Sequence, residues 1–297
     1  MQSHIGEIAA LITALCWALN GIAFESAGKK IGSFSLSYIR LFIAFLLLSI
    51  SAFFMRGIAL PVDANLNNWI WLFISGIIGF VLGDIFLFQA YVEIGSRISL
   101  LIMSAAPPLT ALIGFIFLKE RISLLGILGI FITMTGIALV ILSKNPNQNK
   151  VEFNRPIKGI IYASIGAIGQ ALGLIFSKVG VGDYNPLAAT QIRIIAAVAV
   201  MTVIITKNKR WPEIIEAMKN KSAIPALIAG SIFGPFIGVT FSLLAVKYAA
   251  VGIVSSITSI SPIVIIPASM IIFKEKVTPK EVLGATISIA GVILLFL

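Results

Sequence analysis

ISLLIMSAAPPLTALIGFIFLKER, residues 98–121, has a second version in this chain, IVSSITSISPIVIIPASMIIFKEK, residues 253–276. Pro107 and Pro262 stand 155 residues apart, and so do the pairs Lys119-Glu120 and Lys274-Glu275. Downstream, Gly129 and Gly136 meet Gly284 and Gly291 at the same spacing. Upstream, Gly79 and Gly83 match Gly234 and Gly238, while Gly6 with Gly159 and Arg40 with Arg193 keep a spacing of 153. Two residues gained between the second and third apolar runs account for the difference. The chain is read as an internal duplication, which has to be settled before any fold is assigned.

Composition says what is duplicated. Of 297 residues, 59% are hydrophobic and 11% charged, with mean hydropathy +1.05. A soluble domain carries about 25% charged residues, so this chain could not clothe a globular surface. Its apolar runs are close to the ~20 residues that cross a bilayer. The reading is an integral membrane protein. The net charge of +10 falls mainly in the connections, where it orients the chain and meets anionic lipid rather than nucleic acid. A lone cysteine, Cys16, excludes an intrachain disulfide, and with His4 the sole histidine no metal site is expected. The start Met1-Gln2-Ser3-His4 has no basic segment, and no cleavable signal peptide is expected.

Ten apolar segments follow: Ile5–Phe24, Phe34–Met55, Trp69–Tyr91, Ile98–Leu118, Ser123–Leu142, Lys158–Val179, Leu187–Thr206, Ala223–Val246, Val251–Phe273 and Pro279–Leu297. Each is expected to be a helix, because an isolated strand cannot satisfy its backbone in lipid. The fold class is thus an all-α membrane protein of ten transmembrane helices. The first five-helix repeat covers 1–142, a linker rich in Asn, Lys and Pro covers 143–156, and the second repeat covers 157–297. Trp211-Pro212-Glu213 and Ile214-Ile215, in the long connection 207–222, predict a short interfacial helix.

Five is odd, so the second copy must enter the membrane from the opposite side. The result is an inverted repeat, the architecture on which many secondary transporters build alternating access. Five Lys and Arg fall on the side of the termini and fifteen on the other, which by the positive-inside rule puts both termini outside.

Charges inside apolar segments cost a few kcal/mol each unless paired or hydrated. Arg40 and Asp84 are expected at similar depth, able to pair as a gate or coupling element. Arg193 repeats Arg40, but Val239 stands where the second copy would repeat Asp84. Arg193 is therefore expected to find other acceptors, with Glu7 or backbone carbonyls on the opposite side as candidates. Glu7 and Asp84 are the two candidate proton sites.

Thr13, Trp17, Asn20 and Phe24 share a helix face, and the matching positions are Gly166, Gln170, Gly173 and Ser177. An amide facing lipid would go unsatisfied, so Trp17, Asn20 and Gln170 are candidates for cargo contact. Ser104, Ser256 and Ser259 join them from the segments broken by Pro107 and Pro262, which are read as hinges. The glycine rows 76, 79, 83 and 230, 234, 238 are read as packing seams.

Leu82-Gly83-Asp84-Ile85-Phe86-Leu87-Phe88-Gln89-Ala90 and Gly95-Ser96-Arg97-Ile98-Ser99, within two five-helix copies each ending in a Pro-broken and a Gly-containing helix, resemble the EamA family of the drug/metabolite transporter superfamily. The resemblance spans nearly the whole chain. It implies a ten-helix basket around a central cavity and export or uptake of small metabolites, often amino acids; export is the expected direction. The partners expected are a small-molecule cargo and the bilayer of the cell membrane, with no cofactor and the oligomeric state open. No Gly-x-x-x-x-Gly-Lys-Ser/Thr loop is present, so ATP hydrolysis is not expected. A passive channel or an intramembrane lipid enzyme are the alternative classes; the enzyme would need clustered nucleophile, base or metal ligands.

Overall fold

The computed structural model describes residues 4–118, 122–144, 151–153, 156–249, 251–274 and 277–295. Its helices run α1 Ile5–Ile31, α2 Ser33–Arg56, α3 Leu66–Ile94, α4 as Ser96–Met103 and Ala106–Leu118, and α5 Leu124–Ile141. They continue as α6 Ile157–Val181, α7 Pro186–Lys207, α8 Ile224–Tyr248, α9 as Val251–Thr258 and Ser261–Ile272, and α10 Pro279–Leu295. Among the described residues nine are long and apolar enough to cross a membrane, and α10 adds a tenth of 17 residues. The protein is a multi-pass membrane protein of two inverted five-helix repeats.

One departure from the sequence reading has a physical cause. Helix α1 does not stop at Phe24 but continues to Ile31. Glu25 inside that extension accepts from Lys29 Nζ at 2.5 Å and from the Ser96 backbone N–H at 2.6 Å, so its charge is paired without leaving the helix. The linker is not wholly irregular: β1 Leu142–Lys144 pairs antiparallel with β2 Val151–Phe153. The Lys-Glu pairs that mark the repeat lie mostly outside the described residues, at 119, 120 and 275.

Gly32 and Gly95 each connect two helices through a single residue. Their φ values of 78° and 82° suit glycine alone among common residues, and each N–H closes the preceding helix on Gly28 O and Tyr91 O. The connection 207–222 carries the helix Trp211–Lys219, which buries Ile214 and leaves Ile215 and Met218 exposed. Exposed Leu15, Leu19, Leu46, Phe131 and Ile271 belong on a surface that faces acyl chains.

The duplication is visible as geometry. A π-helical stretch interrupts α3 at Ile77–Gly83 and another interrupts α8 at Ile232–Gly238, the same step of the two repeats. Helix α4 breaks after Met103 and α9 after Thr258, again equivalent positions. Helices α5 and α10 pack on each other through matched residues. Thr133 Oγ1 donates to Ser288 O and Ser288 Oγ to Thr133 O, both at 3.3 Å. Such reciprocal contact is what a two-fold relation imposes. The backbones come this close because Gly129, Gly136, Gly284 and Gly291 lie at the contact, where a Cβ would strike the facing helix.

Candidate functional site

Between the repeats lies a cavity of about 130 Å³. Helices α1 and α3 contribute Trp17, Asn20, Phe80, Asp84 and Phe88, and α6 and α7 add Gln170 and Arg193. The broken segments close it with Met103, Ser104 and Pro107 on one side and Ser255, Thr258, Ser259, Ser261 and Pro262 on the other. Repeat-related positions thus line one cavity with different chemistry. Leu100 and Met103 of α4 correspond to Ser255 and Thr258 of α9, so the α9 side carries more hydroxyls than the α4 side, where Ser104 stands.

The π-helical stretches border this cavity. A π turn carries one residue more than an α turn and is frequent at functional sites. In α3 it brings Phe80 to the lining, and in α8 it brings Pro235 to the equivalent place. Pro235 has no N–H to give, so a widened turn suits it.

Asp84 is the acid of the site. Arg40 Nη2 donates to its Oδ2 at 2.5 Å and Gln170 Nε2 to its Oδ1 at 2.5 Å. Arg40 is 2% exposed and Asp84 5%, so both charges are out of water and each depends on the other. The Arg40 guanidinium also stands 4.6 Å from the centroid of Phe88 and 5.6 Å from that of Phe80. The expected pairing of Arg40 with Asp84 is thus present, in the cavity wall.

Arg193 corrects the expectation. It does not turn toward Glu7 or the opposite face; it enters the same cavity as Arg40. Its guanidinium lies 4.4 Å from the centroid of Phe80, and it is 5% exposed. Phe80 is therefore within cation–π distance of both guanidinium groups. Space for Arg193 exists because residue 79 is glycine: a Cβ there would come within 3.1 Å of Nη2.

Among the described residues, four buried polar atoms of this lining have no hydrogen-bond partner: Asn20 Oδ1, Arg40 Nε, Ser104 Oγ and Arg193 Nε. Buried polar groups are nearly always satisfied, so water or cargo must complete them.

Trp17, Asn20, Gln170, Ser104 and Ser259 of the sequence candidates lie in the lining with Arg40, Asp84, Arg193, Pro107 and Pro262. Ser256 does not; it turns to α10 and donates to Val292 O at 3.3 Å. Glu7 is half-buried in the first turn of α1, away from the cavity. Phe80, Phe88 and Met103 escaped the sequence reading. Their signal was present, since Phe80 and Phe88 flank Asp84 at four-residue steps, but apolar residues in an apolar helix carry no contrast. The glycine rows do pack helices, yet Gly79 and Gly234 also shape the site, the latter against Asn20.

The sequence profile of the EamA-like transporter family matches residues 4–142 and 157–297. The chain belongs to this family. EamA proteins fall within the drug/metabolite transporter superfamily. Two relatives from Archaeoglobus fulgidus (strain ATCC 49558 / DSM 4304 / JCM 9628 / NBRC 100126 / VC-16), each described as an uncharacterized transporter, are similar to this EamA chain. One is 22% identical over 293 residues, covering 97% of this chain and 96% of its own length. The other is 24% identical over 224 residues, covering 74% and 75%. A protein known from a crystal structure shares the fold at a TM-score of 0.66 and 14% identity, covering 97% of this chain and 95% of its own. This EamA protein is a membrane transporter.

Proposed function

We propose that this EamA protein is a secondary transporter that moves small metabolites by alternating access, with amino acids and related compounds as candidate cargo and export as its direction. The observation that carries the reading is the cavity on the seam of the inverted repeats, lined by equivalent residues of both. Two halves of one fold can exchange conformations, and the cavity then opens to the other face. The matched breaks at 104–105 and 259–260 supply hinges where a helix can bend without losing its regular turns elsewhere. Trp17, Asn20, Gln170, Ser104 and Ser259 contact cargo in this reading, while Arg40, Asp84 and Arg193 carry the charge. Cargo passes unaltered, and both termini lie outside the cell membrane.

Purified protein in liposomes tests it. Saturable counterflow of labelled metabolites is expected. Conductance without saturation would make the protein a channel, and chemically changed cargo would make it an enzyme. Tags after Ile31 and after Val181 should report opposite compartments, the first of them cytoplasmic.

A further inference from the structure

The charges lining the cavity do not balance. Among the described residues they are Arg40, Asp84 and Arg193. Arg40 and Asp84 neutralise each other at 2.5 Å, and Gln170 occupies the second oxygen of the acid. Asp84 attracts Arg193 through space as well, but one carboxylate cannot neutralise two guanidinium groups, so the lining keeps a net charge of +1. Among the described residues no acceptor takes a hydrogen bond from its Nε, although the side chain is 5% exposed. The Phe80 ring lies 4.4 Å from the guanidinium carbon and accepts no conventional hydrogen bond, so the Nε–H is left for another group.

A cation with no hydrogen-bonded acid, away from water, costs several kcal/mol; Phe80 returns about 0.5–2 kcal/mol and the through-space attraction of Asp84 a further share. A second acid at position 239 would have removed the cost by symmetry, but the chain has Val239 there. A planar guanidinium edge matches a carboxylate, which can accept two parallel N–H bonds from it.

We infer that Arg193 is the seat of an anionic cargo and that the cargo is a small monocarboxylate. This rests on the transporter reading and gives its cargo a chemical class. One surplus positive charge calls for one negative charge; a dianionic phosphate would leave the site negative. Asn20 Oδ1, an unpaired acceptor, receives a donor from the cargo, and Ser104 Oγ is free to bond it. Leu100, Met103 and Leu174 supply apolar wall for the remainder of the molecule. The preferred ligand is therefore a short carboxylate with one hydroxyl donor and no amine, since a protonated amine would cancel the charge that the site calls for.

The test uses the full chain in detergent, with lactate and benzoate as probes and lactamide and benzamide as neutral matches. Thermal stabilisation is measured at constant ionic strength, with sodium phosphate and sodium chloride as separate arms. The carboxylates should stabilise and the amides should not. Arg193→Gln should weaken the apparent affinity roughly 10–100-fold, the loss of a hydrogen bond to a charged group, and Arg193→Lys should retain part of it. Equal stabilisation by carboxylate and amide, or by phosphate or chloride alone, would overturn the proposal. So would full carboxylate affinity in Arg193→Gln. If Arg193→Gln does not fold, the comparison of carboxylate with amide on the unsubstituted protein still decides. Counterflow of radiolabelled lactate separates the two readings. Carboxylate binding without counterflow retains the anion seat and removes the carrier; counterflow of a neutral solute, untouched by Arg193→Gln, does the reverse.

Discussion

Gln170 Nε2 lies 2.5 Å from Asp84 Oδ1, so the buried acid of the first repeat is held in part by an amide of the second. Any motion that separates α3 from α6 must break this bond, while the bond to Arg40 stays within the first repeat. Gln170→Ala is expected to leave the protein folded and to lower the rate of counterflow, because Asp84 then changes its environment without its partner across the seam. An unchanged rate, measured together with Asn20→Ala, would remove both residues from the transport cycle.

The Arg40–Asp84 pair separates stability from function. Arg40→Gln or Asp84→Asn each leaves a buried charge without its partner, for which about 3–5 kcal/mol of destabilisation is expected. The double substitution Arg40→Leu with Asp84→Leu should recover most of the melting temperature, since an apolar pair can replace a buried ion pair. It should not recover transport. Thermal unfolding in detergent and counterflow in liposomes read the two effects independently.

At the face that carries the α1–α2 turn, α4 is tied on two sides. Arg97 Nη1 donates to Glu281 Oε2 at 2.5 Å, joining α4 to α10, and Glu25 accepts from the Ser96 N–H, joining α4 to α1. The repeat places Gly252 and Gly126 where the opposite face would need Arg97 and Glu281, so this tie has no symmetric counterpart. Arg97→Gln is expected to shift the population toward opening at this face. In a Cys16→Ala background carrying Ser104→Cys, labelling by a membrane-impermeant thiol reagent added on that face should rise several-fold. No rise would remove the tie from any gating role.

On the other face Asp63 accepts from Arg56 Nη2 at 2.5 Å and from Tyr184 Oη at 2.8 Å. The hydrogen bond from Arg56 holds the Asp63 carboxyl below the usual carboxylate range, while burial and the bond to Asp63 push the Tyr184 phenol up to about 12. A depressed carboxylate contributes stability that is present above its unfolded value and lost as pH falls through its folded one. The contact is exposed, so its share is small, about 0.2–1 kcal/mol. Asp63→Asn should flatten the fall in melting temperature below about pH 4 and change little at neutral pH. An acid limb identical to that of the unsubstituted protein would show that the contact carries no weight.

Much of the architecture could be read directly. The spacing of Pro107 and Pro262 and the steps of Gly129, Gly136, Gly284 and Gly291 are one-dimensional signals, because a repeat preserves register whatever its surroundings. Trp17, Asn20 and Gln170 were legible for a related reason: a polar or bulky group at the centre of an apolar helix has few places to go. Ser256 shows the limit of that argument. It neighbours Ser255, and only the rotation of the broken helix decides which hydroxyl meets the cavity and which meets α10.

The sequence by itself determined that the chain lies in a membrane, that it is double, and that the halves are inverted, since apolar run length, repeat spacing and an odd helix count do not depend on packing. Tertiary structure alone decided that Arg193 shares a cavity with Arg40 and Asp84, that Phe80 lies within reach of both guanidinium groups, and that the lining keeps one surplus positive charge. Those facts depend on how π turns and glycine contacts rotate α3, α6 and α7 against one another. A rotation of one residue, about 100° around a helix, would carry any of these side chains from cavity to lipid.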